Sequence, residues 1–319
     1  MSTTPINQIT KNQHIVPQRH LKNFAIPNTE KLECFNTEAI RLEKLQSPKS
    51  ICCGYFHYAL EPGKEDKYSQ IVEKAFGDIE DWYGKNLDRI EKQLLSKQKL
   101  SDDDKYAVSW IIANFYFRGY RFRQEIQKTM GELVEWMAPN VSEHIYQGCL
   151  KSYPNAFPDS REAKELTQEI TKKLLLAQTE NTSHATSPSF DEGHANTLTH
   201  KKWRILINNS TEYPFITGDE AVIEITNDLI PSKYLSRGFL CLTHIFHLST
   251  KIAIIASFPF NEEMHGQVIF EDVTGNKAEI FKNNLLYVNH TYKYAYGSNR
   301  IFFEWLIDFE KRKKEKISV

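Results

Sequence analysis

The chain reads as an α+β protein: a central helical bundle packed on a mainly antiparallel C-terminal sheet, with short strands at the N-terminal end. Three observations predict this. Apolar residues recur at helical spacing from about 68 to 178, and past residue 200 the period shortens toward two. Several connections in that second half are very short, which suits antiparallel pairing. At 319 residues, with 40% hydrophobic and 25% charged, the chain has the makings of a sizeable globular core. The organisation expected is a polar mobile arm over 1–13, one α+β domain over 14–300, and a C-terminal segment over 301–319 carrying a basic tail. Within the domain the helical part covers about 68–178 and the strand-rich part about 201–260.

Residues 14–60 mix short strand-like and turn-like pieces, His14-Ile-Val-Pro17, Lys31–Phe35 and Ile51–Leu60. Pro17, Pro27, Pro48 and Pro62 argue against long helices there. Over 68–95, Val72, Phe76, Ile79, Tyr83, Leu87, Ile90 and Leu94 mark a helix. Ser101 with Asp104 three residues on resembles a capping box and starts a helix expected to run to about Lys128. Val108, Trp110, Ile111, Ile112, Phe115, Tyr116 and Phe117 make it apolar nearly all round, hence central.

Helices are expected over 131–150 and 160–178. The Ser-, Thr-, Asn- and His-rich stretch 179–197 reads as an exposed loop. Strands follow at Trp203–Ile207, Pro214–Thr217, Ala221–Ile225, Phe239–Leu248 and Lys251–Phe258, then a helix over 276–295.

The net charge of -1 weakens a whole-chain electrostatic case for nucleic acid. The five cysteines contain no C-x-x-C pair, which reads as reduced thiols in a cytoplasmic protein. The N-terminus has no apolar signal segment, and no apolar run approaches a membrane span. P-loop, G-x-G-x-x-G, G-x-S-x-G and H-E-x-x-H motifs are absent, so the classes that rely on them lose their usual support.

Four groups of residues could carry chemistry. His14 precedes an extended step fixed by Pro17, and a histidine there can ligate metal or act as a base. The step resembles the opening of an HNH nuclease motif, without the doubled histidine or the downstream Asn-and-His half. Its structural alternative is a histidine that pins the arm. Glu73 and Glu80, seven apart, lie along one side of the first long helix. On the next, Asn114, Arg118, Arg121 and Glu125 form a polar row on an apolar helix, while Arg123 lies off it and should be exposed. Buried charge must be paired or meet a watery cleft, so the row is either an ion-pair network with Glu73 and Glu80 or an anion-binding cleft. In Pro214-Phe-Ile-Thr-Gly218-Asp219-Glu220, Asp219 is either a turn residue or a strand-end carboxylate aimed into a cleft, with Thr217 beside it. His244 and His247, three apart in a strand, face opposite sides, and His184, His194 and His200 read as solvated. The tail KRKKEK at 311–316 reads as a solubilising end.

His14-Ile-Val-Pro17 followed by Leu21-Lys-Asn-Phe24 resembles the opening of domain-of-unknown-function family 4238. The arginines of 118–123 and Phe215-Ile-Thr-Gly-Asp219 agree with it, over roughly 14–300. Members usually carry Ser where Gly218 stands and Asn-Pro where Glu220-Ala221 stand. The resemblance implies no activity, but it singles out His14, the arginines and Asp219.

Three readings follow. In the first, His14, Glu80 (or Glu73), Arg121 and Asp219 converge on a divalent ion, Mg²⁺ or Mn²⁺, held by His14 and Asp219. They then hydrolyse phosphodiesters, as in a nuclease of microbial defence or a toxin. In the second, Arg118, Arg121 and Thr217 bind an anionic ligand, nucleic acid or partner protein without chemistry. In the third, the charges are an internal network and the protein is a scaffold.

Overall fold

The computed structural model describes residues 11–55, 71–154, 158–225, 242–258 and 262–317, with side chains left aside at 55, 71, 177–191, 262 and 314–317. Residues 1–10 of the expected arm, the stretch 56–60 and the start of the Phe239–Leu248 strand fall outside these residues.

Short N-terminal elements come first: β1 (Asn12–His14), α1 (Gln18–Lys22), β2 (Glu33–Asn36), β3 (Arg41–Leu42) and β4 (Cys53–Tyr55). The helical part follows as α2 (Ile71–Leu95), α3 (Asp102–Arg118), α4 (Tyr120–Ser152) and α5 (Arg161–His200). Then come β5 (Lys202–Ile207), β6 (Thr217–Gly218), β7 (Val222–Ile225), β8 (Thr243–His247), β9 (Ile252–Ser257), β10 (Val268–Asp272), α6 (Lys277–His290), β11 (Tyr294–Gly297) and α7 (Ile301–Ile317).

The α+β architecture is the one expected. Among the described residues the strands form three sheets: β1-β4, a five-stranded sheet ordered β10-β5-β9-β8-β7, and a four-stranded sheet ordered β3-β2-β11-β6. All these pairings are antiparallel except β10 with β5. The large sheet has helices on both faces, and its residues alternate between two cores. Trp203, Ile205, Ile207, Ile252 and Ile254 face the core under α2 and α3, while Leu206, Ala253 and Ile255 face a second core with α6 and α7. That is the period-two geometry of a strand buried on both sides.

Helix α2 forms because its apolar stripe is continuous: Val72, Phe76, Ile79, Tyr83, Leu87, Ile90 and Leu94 are all buried. Helix α3 begins where expected, with Ser101 Oγ accepting from the Asp104 amide at 3.2 Å. Its end is a correction. The helix stops at Arg118, and Gly119 turns the chain with φ -59° and ψ 151° before α4 begins. The cause is remote: a Cβ at Gly119 would strike the carboxylate of Glu220, which also accepts from the Arg121 amide at 2.8 Å. A glutamate from the connection between β6 and β7 thus caps α4 and needs a glycine beside it. Trp110 also departs from the expected buried cylinder, with 40% exposure.

The stretch 179–197, expected as a loop, lies within α5. Buried Ala195 and Leu198 anchor its far end, and tertiary packing overrides weak local propensity. The helix expected over 276–295 ends at His290, and Tyr294–Gly297 is instead strand β11, paired with β2 and β6. Strand β6 is short, Thr217–Gly218, and overlaps the expected Pro214–Thr217 at Thr217 alone. Past residue 300, α7 buries Phe302, Phe303 and Leu306 in the second core, and Lys311, Arg312 and Lys313 of the basic tail are exposed. No helix among the described residues is long and apolar enough to cross a membrane.

Candidate functional site

Tyr120, the first residue of α4, stands between two polar regions. On one side it packs on Ile15, Val72 and Phe76, and on the other it stacks on Tyr292 with ring centroids 5.0 Å apart.

On the first side, the expected ion-pair network exists in part. Arg118 Nη1 meets Glu80 Oε1 at 2.6 Å and Asn114 Oδ1 at 3.4 Å. Its Nη2 donates to the His14 carbonyl, and the guanidinium lies over the Phe76 ring at 4.4 Å. Arg118 is 1% exposed, so it is sealed and cannot receive a ligand. Glu73 does not join this pair. Burial pushes its carboxyl up to about 7, with Arg118 pulling it down and Glu80 pushing it further up. Burial lowers the His14 imidazole below its ordinary value, opposed by Glu80. Two buried atoms here have no hydrogen-bond partner: His14 Nε2 and Glu73 Oε2.

On the second side the Asp219 carboxylate is fully engaged. It accepts from the Thr291 hydroxyl, from the Tyr292 amide at 2.8 Å, from Lys293 at 2.8 Å and from Tyr294 at 2.9 Å. Burial raises its pKa and these four donors oppose the rise. The plain turn-chemistry reading was too local, because Asp219 organises a turn of the chain far along the sequence. Its lone pairs are taken, so it is a poor metal ligand, a correction to the expected His14–Asp219 pairing. Among the described residues, no three His, Cys, Asp or Glu side chains group as a metal site. Thr217, expected near a ligand, is fully buried with its hydroxyl 3.2 Å from His20 Nε2. That ring also bonds the Tyr83 hydroxyl at 3.1 Å and stacks on Phe246.

Arg121 does not pair with a glutamate side chain as one reading had it. Exposed, it reaches the carbonyls of Asn289 (3.3 Å) and Thr291 (3.5 Å) and lines a small hollow of about 80 Å³ with Glu125, Glu220 and Glu224. Burial pushes the Glu220 carboxyl up to about 8. Arg123, expected exposed, is buried. His194 is also buried rather than solvated, its Nε2 3.1 Å from His244 Nε2, and Lys201 Nζ sits 3.1 Å from His244 Nδ1. His244 and His247 do face opposite sides, His247 stacking on Tyr287 at 4.1 Å.

The Asp219-ordered turn opens onto a hollow of about 810 Å³. Tyr120, Tyr292, Tyr294 and Tyr296 line it, with Arg41, Lys44 and Lys293 as its cations. Glu43, its other carboxylate, is taken by Arg41 at 2.9 Å. Cys34 and Cys52 also line it, and burial pushes the Cys34 thiol up to about 12. Sequence reasoning missed the tyrosines and Lys293. The alternation Tyr292, Tyr294, Tyr296 was the available signal, a strand pattern masked by the helical period before it.

A family model described as protein of unknown function (DUF4238) matches residues 12–300. The chain belongs to this family. The DUF4238 match covers β1 to β11, so it takes in both polar regions and the hollow between the small sheet and α4. No curated protein and no solved structure matches the chain.

Proposed function

We propose that the protein binds an anionic ligand bearing a flat ring, of the nucleotide class, in the 810 Å³ hollow beside Tyr292. One observation carries the reading: aromatic faces and two lysines without a carboxylate partner among the described residues share a hollow whose carboxylates are already satisfied. Tyr292 is 44% exposed and backed by Tyr120, so a ring can stack on it. Lys44 and Lys293 have no ion pair among the described residues. Asp219 and Glu43 are held by donors and repel an anion less than bare carboxylates do. The volume suits a small molecule. Calorimetric titration with nucleoside mono- and triphosphates tests it. Tyr292→Ala should weaken binding about tenfold, as loss of one stacked ring does. Lys293→Glu should weaken the triphosphate more than the monophosphate. Equal binding by wild type and both variants would remove the site from consideration.

A second reading, phosphodiester hydrolysis, draws on a different observation, the two unpartnered buried atoms His14 Nε2 and Glu73 Oε2. Neutral His14 would take a proton from water as the water oxygen attacks phosphorus. The ester P–O bond would break, and the leaving oxygen would take its proton from Glu73, whose carboxyl is held near neutrality. Glu80 would hold Arg118 in place. DNA and RNA should be cleaved, with or without Mg²⁺ or Mn²⁺, and His14→Ala of unchanged circular dichroism should be inactive. Cleavage surviving in that variant rules the scheme out.

A further inference from the structure

A second hollow, of about 500 Å³, opens between α2 and α3 and shares no lining residue with the first. From α2 it takes Ala75, Asp78, Ile79 and Trp82, spaced i, i+3, i+4 and i+7 on one helix face. From α3 it takes Tyr106, Ala107, Trp110 and Ile111, again one face. Ile79 and Ile111 are buried and form its floor, and the two alanines leave the space open. Trp110 stands 40% exposed at its edge. Asp78 is exposed and has no hydrogen bond or ion pair among the described residues. Exposed Asp102 and Asp103 lie on α3 one turn before Tyr106.

We propose that this groove is a cage for a small organic cation with an apolar head, of the quaternary ammonium class. Two indoles, a phenol and a free carboxylate suit such a ligand in three ways. The ring faces attract positive charge, the methyl groups gain from burial on Ile79 and Ile111, and Asp78 supplies the countercharge. A compact ammonium would have to shed a strongly held water shell to enter. A neutral apolar ligand would gain nothing from Asp78, and an anion would meet Asp78 in the lining with Asp102 and Asp103 a turn of α3 away. The hollow has the volume of a small-molecule site rather than of a protein interface.

The test is titration of the full-length protein with choline, benzyltrimethylammonium and choline's neutral carbon isostere dimethylbutanol, read by tryptophan fluorescence and calorimetry. The ammonium compounds should bind, with choline about tenfold tighter than its isostere. Asp78→Asn should cost several-fold in affinity, and Trp110→Ala should abolish binding. Tyr292→Ala should leave it unchanged, which separates this groove from the anion hollow. Asp78 and Trp110 are exposed, and unchanged circular dichroism confirms that the variants fold. Equal affinity for choline and the isostere, no effect of Asp78→Asn, or no binding of either ammonium compound would overturn the proposal. So would a Trp110-dependent dimer in light scattering, because it would make the groove a contact between copies.

Discussion

Two polar groups flank Tyr120, Asp219 with Glu220 on one side and Arg118 with His14 and Glu73 on the other, and they differ in how completely they are paired. Asp219 accepts four hydrogen bonds and Glu220 caps α4, and neither carboxylate has an unpartnered buried oxygen. Across Tyr120, Arg118 is just as fully paired, yet His14 Nε2 and Glu73 Oε2 beside it are buried without a hydrogen-bond partner from the protein. Burying a polar atom without a partner costs free energy, and most buried polar atoms in folded proteins have one. The satisfied set accounts for itself as architecture, whereas the unsatisfied set is the one on which the hydrolytic reading draws. Residue type does not separate the carboxylates, since Asp219, Glu220 and Glu73 are all buried or half-buried acids. The partner count does.

The comparison breaks most visibly at Asp219. If its carboxylate holds the 291–294 turn, Asp219→Ala strands three backbone amides, and the loss should be about 3–5 kcal/mol. Urea unfolding measures it. A loss under about 1 kcal/mol would show the carboxylate to be free for other work.

Gly119→Ala comes next. The new methyl would push Glu220 away from the α4 amides, at a cost of about 2 kcal/mol, near the upper range for a lost helix cap. Pairing it with Glu220→Gln checks the mechanism. If Glu220 is the obstacle, the two effects should fall short of additive.

How far these features could be read from the sequence depends on how local their causes are. The stripe of α2 and the Ser101 cap are set by residues within a few turns, and they were legible. So was the period-two alternation of β5 and β9 between the two cores. The break at Gly119 was not, because a glycine in an apolar run reads as helix until Glu220 arrives from the β6–β7 connection. Polar composition over 179–197 suggested a loop, whereas α5 is carried by its packing on α3 and α4. The site shows the same division. Arg118 with Glu80 was one of the pairings anticipated from helical spacing, and it formed. Asp219 was picked out as a residue, but its partners Thr291–Tyr294 lie in a turn that the helical period runs straight through.

The smallest effect expected tests the unsatisfied set most sharply. The folded-state pKa of Glu73 is raised to about 7 by burial, above an ordinary 4.5. Between those two values the unfolded chain has released its proton while the folded chain keeps it. Stability therefore falls as pH rises through this window, and the loss is complete above the folded pKa. Glu73→Gln keeps the shape and removes the titration. The variant should match wild type at pH 4.5 and exceed it above pH 7, by about 1 kcal/mol once partial exposure is discounted. Buried His20 and His247, held neutral with pKa values near 3, give an opposite slope in both proteins, so it cancels in the difference. Urea midpoints at pH 4.5, 6 and 7.5 suffice. A difference that stays flat would mean that Glu73 is as well satisfied as Asp219, and the contrast across Tyr120 would disappear. A difference that grows with pH, together with loss of any phosphodiester cleavage in the variant, would tie the same unpartnered carboxyl to both the cost and the chemistry.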